Sequence, residues 1–269
     1  AHLEQALSEA RVSDLVRRQV EILLGLGMLD REEGEVSAAF AHYESAQKLA
    51  EGDAVLTAKI LVGLANLYNR QGEEERALET LRAAREVAEE SEERFLIIQI
   101  LTNTGTVHYG ARRYTQAQDW FRQALELSEA ISFGKGQVLN RHNLADAHFR
   151  MEESARAFTG FTASRDRARE LGMERMVALN EVYLGYLLAE QGEPEAGREL
   201  LGQAMGKAAR MRDGETVLVG QWLEGRLYCD QGDLEKGFAV LREALEAARA
   251  VQSELHAREI EGELARWVC

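Results

Sequence analysis

The constraint that most narrows what this chain can fold into is a pattern that returns about every forty residues. A small residue follows an apolar stretch at Gly27, Ala65, Gly105, Ala145, Gly185 and Gly225, and a second small residue stands twelve positions later at Ala39, Ala77, Ala117, Ala157, Gly197 and Gly237. The intervals within each series are 38, 40, 40, 40 and 40. Self-similarity at this period describes stacked units, none of which buries its apolar face alone. An array of this kind offers an extended surface rather than one catalytic cleft.

Within one unit the periodicity is helical. Leu61, Leu64, Ala65, Leu67 and Tyr68 share a face, Gln71-Gly72 breaks the pattern, and Ala77, Leu81, Ala84 and Val87 line a second helix that ends near Glu89 to Glu93. The glycine suits a left-handed helix C-cap, and Gly34, Gly192 and Gly232 mark the same point elsewhere. Asp233 is placed to cap the helix after it. Units three and four carry Arg112 and Glu152 where the others have glycine, which predicts different turns there. Two amphipathic helices, a short connection and small residues where they cross describe an antiparallel helix pair.

These residues resemble the tetratricopeptide repeat. The matching run is Leu64-Ala65, Tyr68, Gly72, Ala77, Leu81 and Ala84 in unit two, with Gly105, Ala117, Phe121 and Ala124 in unit three, and Gly225, Tyr228, Gly232, Leu241 and Ala244 in unit six. Two departures stand out: the usual early tryptophan is absent, and the period is about forty instead of about 34. Longer helices account for the second. This longer form looks like the arrays of kinesin light chains, cell-polarity scaffolds and bacterial regulators that sense peptides or sugars. HEAT repeats share the period but lack the small-residue signature. The resemblance implies an all-α fold, a right-handed α-solenoid (a superhelix) of antiparallel helix pairs.

Extending the period divides the chain into a half repeat over 1–13, six repeats over about 14–52, 53–92, 93–132, 133–172, 173–212 and 213–252, and a last helix over 253–269. Leu3 and Ala6 fall where Tyr43 and Ala46 fall one unit later, so the chain reads as opening inside the second helix of an earlier repeat. The closing Glu263 to Cys269 is either a cap or the first helix of a seventh unit, and the apolar Trp267-Val268 favours the latter. The whole reads as a segment of a longer protein.

A net charge of −14 opposes a nucleic-acid surface and an anionic membrane, because phosphate binding needs a basic stripe. Two cysteines, Cys229 and Cys269, make no disulfide framework, no apolar run approaches the roughly 20 residues of a membrane helix, and a reducing cytoplasm fits best. Chemistry is equally sparse. His142 and Asp146 share a helix face and supply two metal ligands without a third, so no metal or cofactor is expected. Gly25-Leu-Gly27 and Gly134-Lys-Gly136 are too short for phosphate motifs, and no serine or cysteine sits in a nucleophile signature. Catalysis is not expected here.

In tetratricopeptide arrays the first helices line the concave side, which the resemblance carries to an exposed stripe six and three residues before each small marker and one, four and five after it. The partner-binding candidates on this stripe are Asn66, Asn69, Arg70, Thr106, Tyr109, His142, Asp146, Phe149, Arg150, Tyr186, Trp222 and Arg226. Asn and Arg suit peptide backbone and carboxylates, and the aromatics suit anchoring, although Trp222 equally suits packing between first helices. A second polar set breaks the apolar face, with Asn140 and Arg141 one period before Asn180 and Glu181. Register alone pairs Arg141 with Glu181 and Asn140 with Asn180, either as a structural ladder or as a site between repeats. The expected function is a non-catalytic scaffold for a protein or peptide. The alternative is a ligand- or peptide-sensing domain of a bacterial transcription regulator or signalling enzyme whose output domain lies outside this segment. An exposed array end is also suited to pairing with a second copy in a homodimer.

Overall fold

The computed structural model describes residues 5, 16–50, 52–250 and 253–267. The expected opening half repeat, with Leu3 and Ala6, and the terminal Val268 and Cys269 lie outside the described residues. Among the described residues there are thirteen helices and no strand. One unit, running to Phe133, holds α1 (Val16–Glu33), α2 (Val36–Leu49), α3 (Ala54–Arg70), α4 (Glu74–Glu90), α5 (Arg94–Gly110) and α6 (Tyr114–Ala130). The other, from Gly134 on, holds α7 (Gly134–Arg150), α8 (Ser154–Glu170), α9 (Glu174–Glu190), α10 (Pro194–Arg210), α11 (Gly214–Asp230), α12 (Leu234–Ala250) and α13 (Glu254–Arg266). In both units a helix packs most closely on its sequence neighbour to make a pair, and successive pairs stack. Each unit is thus an all-α solenoid of the expected kind.

The turns within pairs are the same whether or not glycine is present, which corrects one expectation. In the glycine-bearing turn Gly72 N donates to Asn69 O at 3.0 Å and Glu73 N to Tyr68 O at 2.9 Å. The α5–α6 turn repeats this with Arg112 N to Tyr109 O and Arg113 N to His108 O, both 2.9 Å, and the α7–α8 turn with Glu152 N to Phe149 O at 3.1 Å. Arg112 and Glu152 take the left-handed conformation, with φ of 57° and 59°. That backbone costs a residue with a β-carbon about 1–2 kcal/mol. It is held because the two hydrogen bonds satisfy carbonyls left over at the helix end and both flanking helices are packed. Asp233 caps α12 as its position predicts, Oδ1 accepting from Lys236 N at 3.3 Å.

The small markers are where the paired backbones meet. A β-carbon on Gly185 would lie 2.8 Å from Gly197 O and 2.8 Å from Leu201 N, and one on Gly197 would lie 2.6 Å from Ala189 N. Sixteen residues after each marker a large side chain from the second helix covers the crossing: Tyr43, Leu81, Phe121, Phe161, Leu201 and Leu241, all at most 2% exposed. Burial of such side chains, about 1.5–3 kcal/mol each, is the main stabilising term of every pair. Gly197→Ala should therefore destabilise the second unit by about 1–3 kcal/mol through overpacking against backbone. Gly202→Ala, on the same helix with nothing within 4 Å of the added carbon, should stabilise it by about 0.5–1 kcal/mol. Urea denaturation of both variants checks this; shifts of the same sign would refute the crossing argument.

Candidate functional site

In the first unit the first-helix stripe is open and polar. Lys59 and Arg70 on α3 and Gln99 and Thr106 on α5 are exposed, and Asn66 and Asn69 are half-buried. Helical spacing keeps Asn66, Asn69 and Arg70 on one side of the last two turns of α3. No side-chain hydrogen bond joins these three to another described residue. Thr106 spends its hydroxyl on the Thr102 carbonyl of its own helix at 3.0 Å. Tyr109 differs from the expected exposed stripe: it is buried, its ring edge-on to Tyr114 with centroids 5.3 Å apart.

In the second unit the corresponding stripe is closed, which corrects the expectation of exposure at His142, Phe149, Tyr186 and Trp222; these are 8%, 6%, 1% and 1% exposed. Phe149 from α7 meets Tyr186 of α9 and Trp222 of α11 edge-on, with centroids 5.6 and 6.2 Å apart. Two guanidinium groups lie on this aromatic layer. That of Arg150 stands 4.5 Å over the Trp222 ring, and that of Arg226 stands 5.0 Å over Tyr186 and 5.5 Å over Phe149. Weakly hydrated, planar arginine tolerates such burial where lysine would not.

Each arginine also meets carboxylates. Arg150 Nε donates to Asp146 at 3.3 Å and Nη1 to Glu259 of α13 at 2.8 Å. Arg226 Nη1 lies 3.4 Å from Glu263 of α13 and its Nε 3.9 Å from Asp230, which accepts from the Tyr186 hydroxyl at 2.8 Å. The Arg150 and Arg226 side chains are only 6% and 14% exposed. Satisfaction is incomplete: Arg226 Nε, Glu263 Oε2 and Trp222 Nε1 are buried without a hydrogen-bond partner. Burial raises the Glu263 carboxyl above its ordinary range, Arg226 opposing, and lowers the His256 imidazole on the same helix. Burial likewise pushes the Tyr183 and Tyr186 hydroxyls up, far from ionisation.

The second polar set is brought together differently from its register. Glu181, 1% exposed, takes its cations from the second helices, Arg169 Nη2 at 2.5 Å and Lys207 Nζ at 2.9 Å, rather than from Arg141. Asn140 donates to Gly136 O at 2.9 Å. Asn180 is engaged by His142 Nδ1 at 3.1 Å, and its amide donates to Ser164 Oγ at 3.1 Å and Met176 O at 2.6 Å. These bonds tie α9 to α7 through His142, to α8 through Ser164 and Arg169, and to α10 through Lys207, and none of them pairs Arg141 with Glu181 or Asn140 with Asn180. His142 is thereby spent on Asn180 and Asp146 on Arg150. Among the described residues no group of three His, Cys, Asp or Glu side chains is placed to hold a metal ion.

Glu259 and Glu263 are the functional candidates that sequence reasoning missed. Glu259 lies six residues before Ala265, where the next small marker falls, so the stripe rule extended by one unit reaches it. Glu263 has no such signal. Its raised carboxyl pKa makes a signed prediction. In the folded state it binds a proton more readily than in the unfolded chain, so its contribution is most favourable near its ordinary value of 4.5 and declines as pH rises through the folded pKa. The stability of the wild type relative to Glu263→Gln should therefore fall as the pH is raised above the ordinary value of 4.5. Thermal melts of the two proteins over a pH series upward from that value measure it, and a flat difference would sink it.

A tetratricopeptide repeat family model matches residues 56–130. Comparison with curated protein sequences returns no match. Several solved structures share the fold. BtubC from P. vanneervenii is similar over 78% of this chain and 90% of its own, with 20% identity and a TM-score of 0.67. Aspartyl phosphate phosphatase F from Bacillus subtilis is similar over 98% and 72%, with 13% identity and a TM-score of 0.71. NprR in complex with its cognate peptide NprX is similar over 91% and 71%, with 12% identity and a TM-score of 0.66. Residues 56–130 are tetratricopeptide repeat by sequence, and the paired helices on either side of them are tetratricopeptide-like in fold.

Proposed function

We propose that this chain is a non-catalytic module that binds a peptide or a helix of another protein on its first-helix faces. The observation that carries this is the state of Asn66, Asn69 and Arg70: three hydrogen-bonding side chains on one side of a packed helix, exposed or half-buried and without a side-chain partner among the described residues. Each asparagine amide offers both donor and acceptor to an extended backbone, and arginine adds a carboxylate fork. Thr106, exposed on α5, holds the position that Asn66 holds on α3, while Tyr109 of the same helix is buried. The complex of NprR with its peptide supports the reading, since that array is similar in fold. In the second unit Asp146, Phe149, Arg150, Tyr186, Trp222 and Arg226 belong to the corresponding face, but there they are already engaged.

A net charge of −14 leaves nucleic acid and anionic membrane poorly matched, and no helix among the described residues is long and apolar enough to cross a membrane. We place the module in the cytoplasm. A sensory role, with an output domain elsewhere in a longer protein, is favoured as the second reading by the contrast between an open face and one closed by the chain's own helix. The first test is selection of random displayed peptides against the full chain, followed by Asn69→Ala and Arg70→Ala. Each should weaken a selected peptide by about tenfold, as expected for loss of about 1–2 kcal/mol at a hot spot, with the melting temperature unchanged. Unchanged affinity in both variants would refute this face as the site.

A further inference from the structure

The way α13 closes the second unit's face identifies a class of ligand for it. α13 packs on α12 and α11 and lays Ala257 and Ile260 into the core cluster that it shares with α9 to α12. From that seat Glu259 and Glu263, one helical turn apart, reach Arg150 and Arg226. Each arginine already has a carboxylate four residues away on its own helix, Asp146 or Asp230. The α13 carboxylates are therefore the outer partners of two guanidinium groups held over aromatic rings. They stand where the carboxylates of a bound segment would stand.

The fit of α13 leaves capacity unused. Glu259 makes a short, direct bond, whereas no hydrogen bond joins Glu263 to Arg226. Trp222 Nε1, on a side chain 1% exposed, and Arg226 Nε face the same cluster without an acceptor. Unmet donors at a desolvated aromatic–arginine cluster are features that a better-matched acidic ligand would satisfy. We propose that the first-helix face of the second unit is a binding site for a helical segment of another protein bearing two carboxylates one turn apart, and that α13 occupies it as an exchangeable internal ligand. This deepens the proposed function and rests on the first helices being the binding surface. Because α13 is tethered, at an effective concentration of about millimolar, a second copy's identical helix has no advantage over it. A segment that also meets Trp222 and Arg226 does.

The probe is a fluorescein-labelled synthetic peptide of residues Ser253 to Trp267, titrated into the full chain by anisotropy, with hydrogen exchange reporting whether α13 is seated. Two variants unseat α13 by different physics. Glu259→Lys places a cation against Arg150, and Ile260→Asp removes the apolar anchor while keeping both glutamates. Both should take up the peptide at least about tenfold more tightly than the wild type, since the internal competitor is gone. The peptide with Glu259→Gln and Glu263→Gln should bind those variants at least about tenfold more weakly, and adding Arg150→Ala together with Arg226→Ala should abolish the difference. Release of α13 without uptake, equal uptake of both peptides, α13 released by neither variant, or dimerisation by exchange of α13 between copies would each overturn the proposal. Failure here with Asn69 and Arg70 still required for selected peptides would leave the binding reading intact; failure of both would remove it.

Discussion

Everything in this fold depends on one recurring contact, the approach of two helix backbones where neither can carry a side chain larger than a methyl group. At Gly185 and Gly197 even a methyl is excluded, because the space a β-carbon would take is filled by the partner's carbonyl and amide. At Ala65 and Ala77, and at Ala145 and Ala157, two fully buried methyl groups suffice. The close crossing brings the covering residue of the second helix down onto the first, so that Leu201 or Phe161 is buried completely. Stacking then has a regular surface to act on, and the unit repeats because each pair leaves its neighbour the same problem to solve.

The same geometry divides each first helix into a face given to the core and a face given to whatever lies in front of it. In the first unit that second face is polar at Asn66, Asn69 and Arg70, which are exposed or half-buried and have no side-chain partner among the described residues. In the second unit aromatic residues occupy it, and they attract arginine, which attracts carboxylate. Charge burial then sets the balance. Arg150 is well compensated by Asp146 and Glu259, while Arg226 is held by looser contacts to Asp230 and Glu263. A buried ion pair gives little net stability when its geometry is imperfect, so this end of the cluster secures position more than it secures α13.

The buried network around Glu181 shows the opposite case. Here a carboxylate on a first helix is met by Arg169 and Lys207 on two second helices, whose long side chains keep partial exposure while their charged ends reach inward. Asn180, Ser164 and His142 complete one another's hydrogen bonds beside it. This is a core made of polar groups that meet one another, and it explains why the apolar face of α9 tolerates Asn180-Glu181 where the first three units carry isoleucine and leucine.

Period, pairing and the identity of the crossing residues were legible in the chain, because they follow from short-range rules: helical spacing, small residues at a close approach, caps and turns. The candidate stripe was legible as a set of positions for the same reason, and its open half on α3 needed nothing further. Turn conformation at Arg112 and Glu152 was not, since packing on both sides outweighed the intrinsic preference for glycine. Nor were the partners of Glu181 or the closure of the second unit's face. Both turn on which helix reaches which across the stack: Glu259 is 109 positions from Arg150, and no local pattern ties two such residues together. Sequence determined the repeating pair and where its side chains stand on it; tertiary structure alone decided which of those side chains meet, because that depends on the summed geometry of every pair between them.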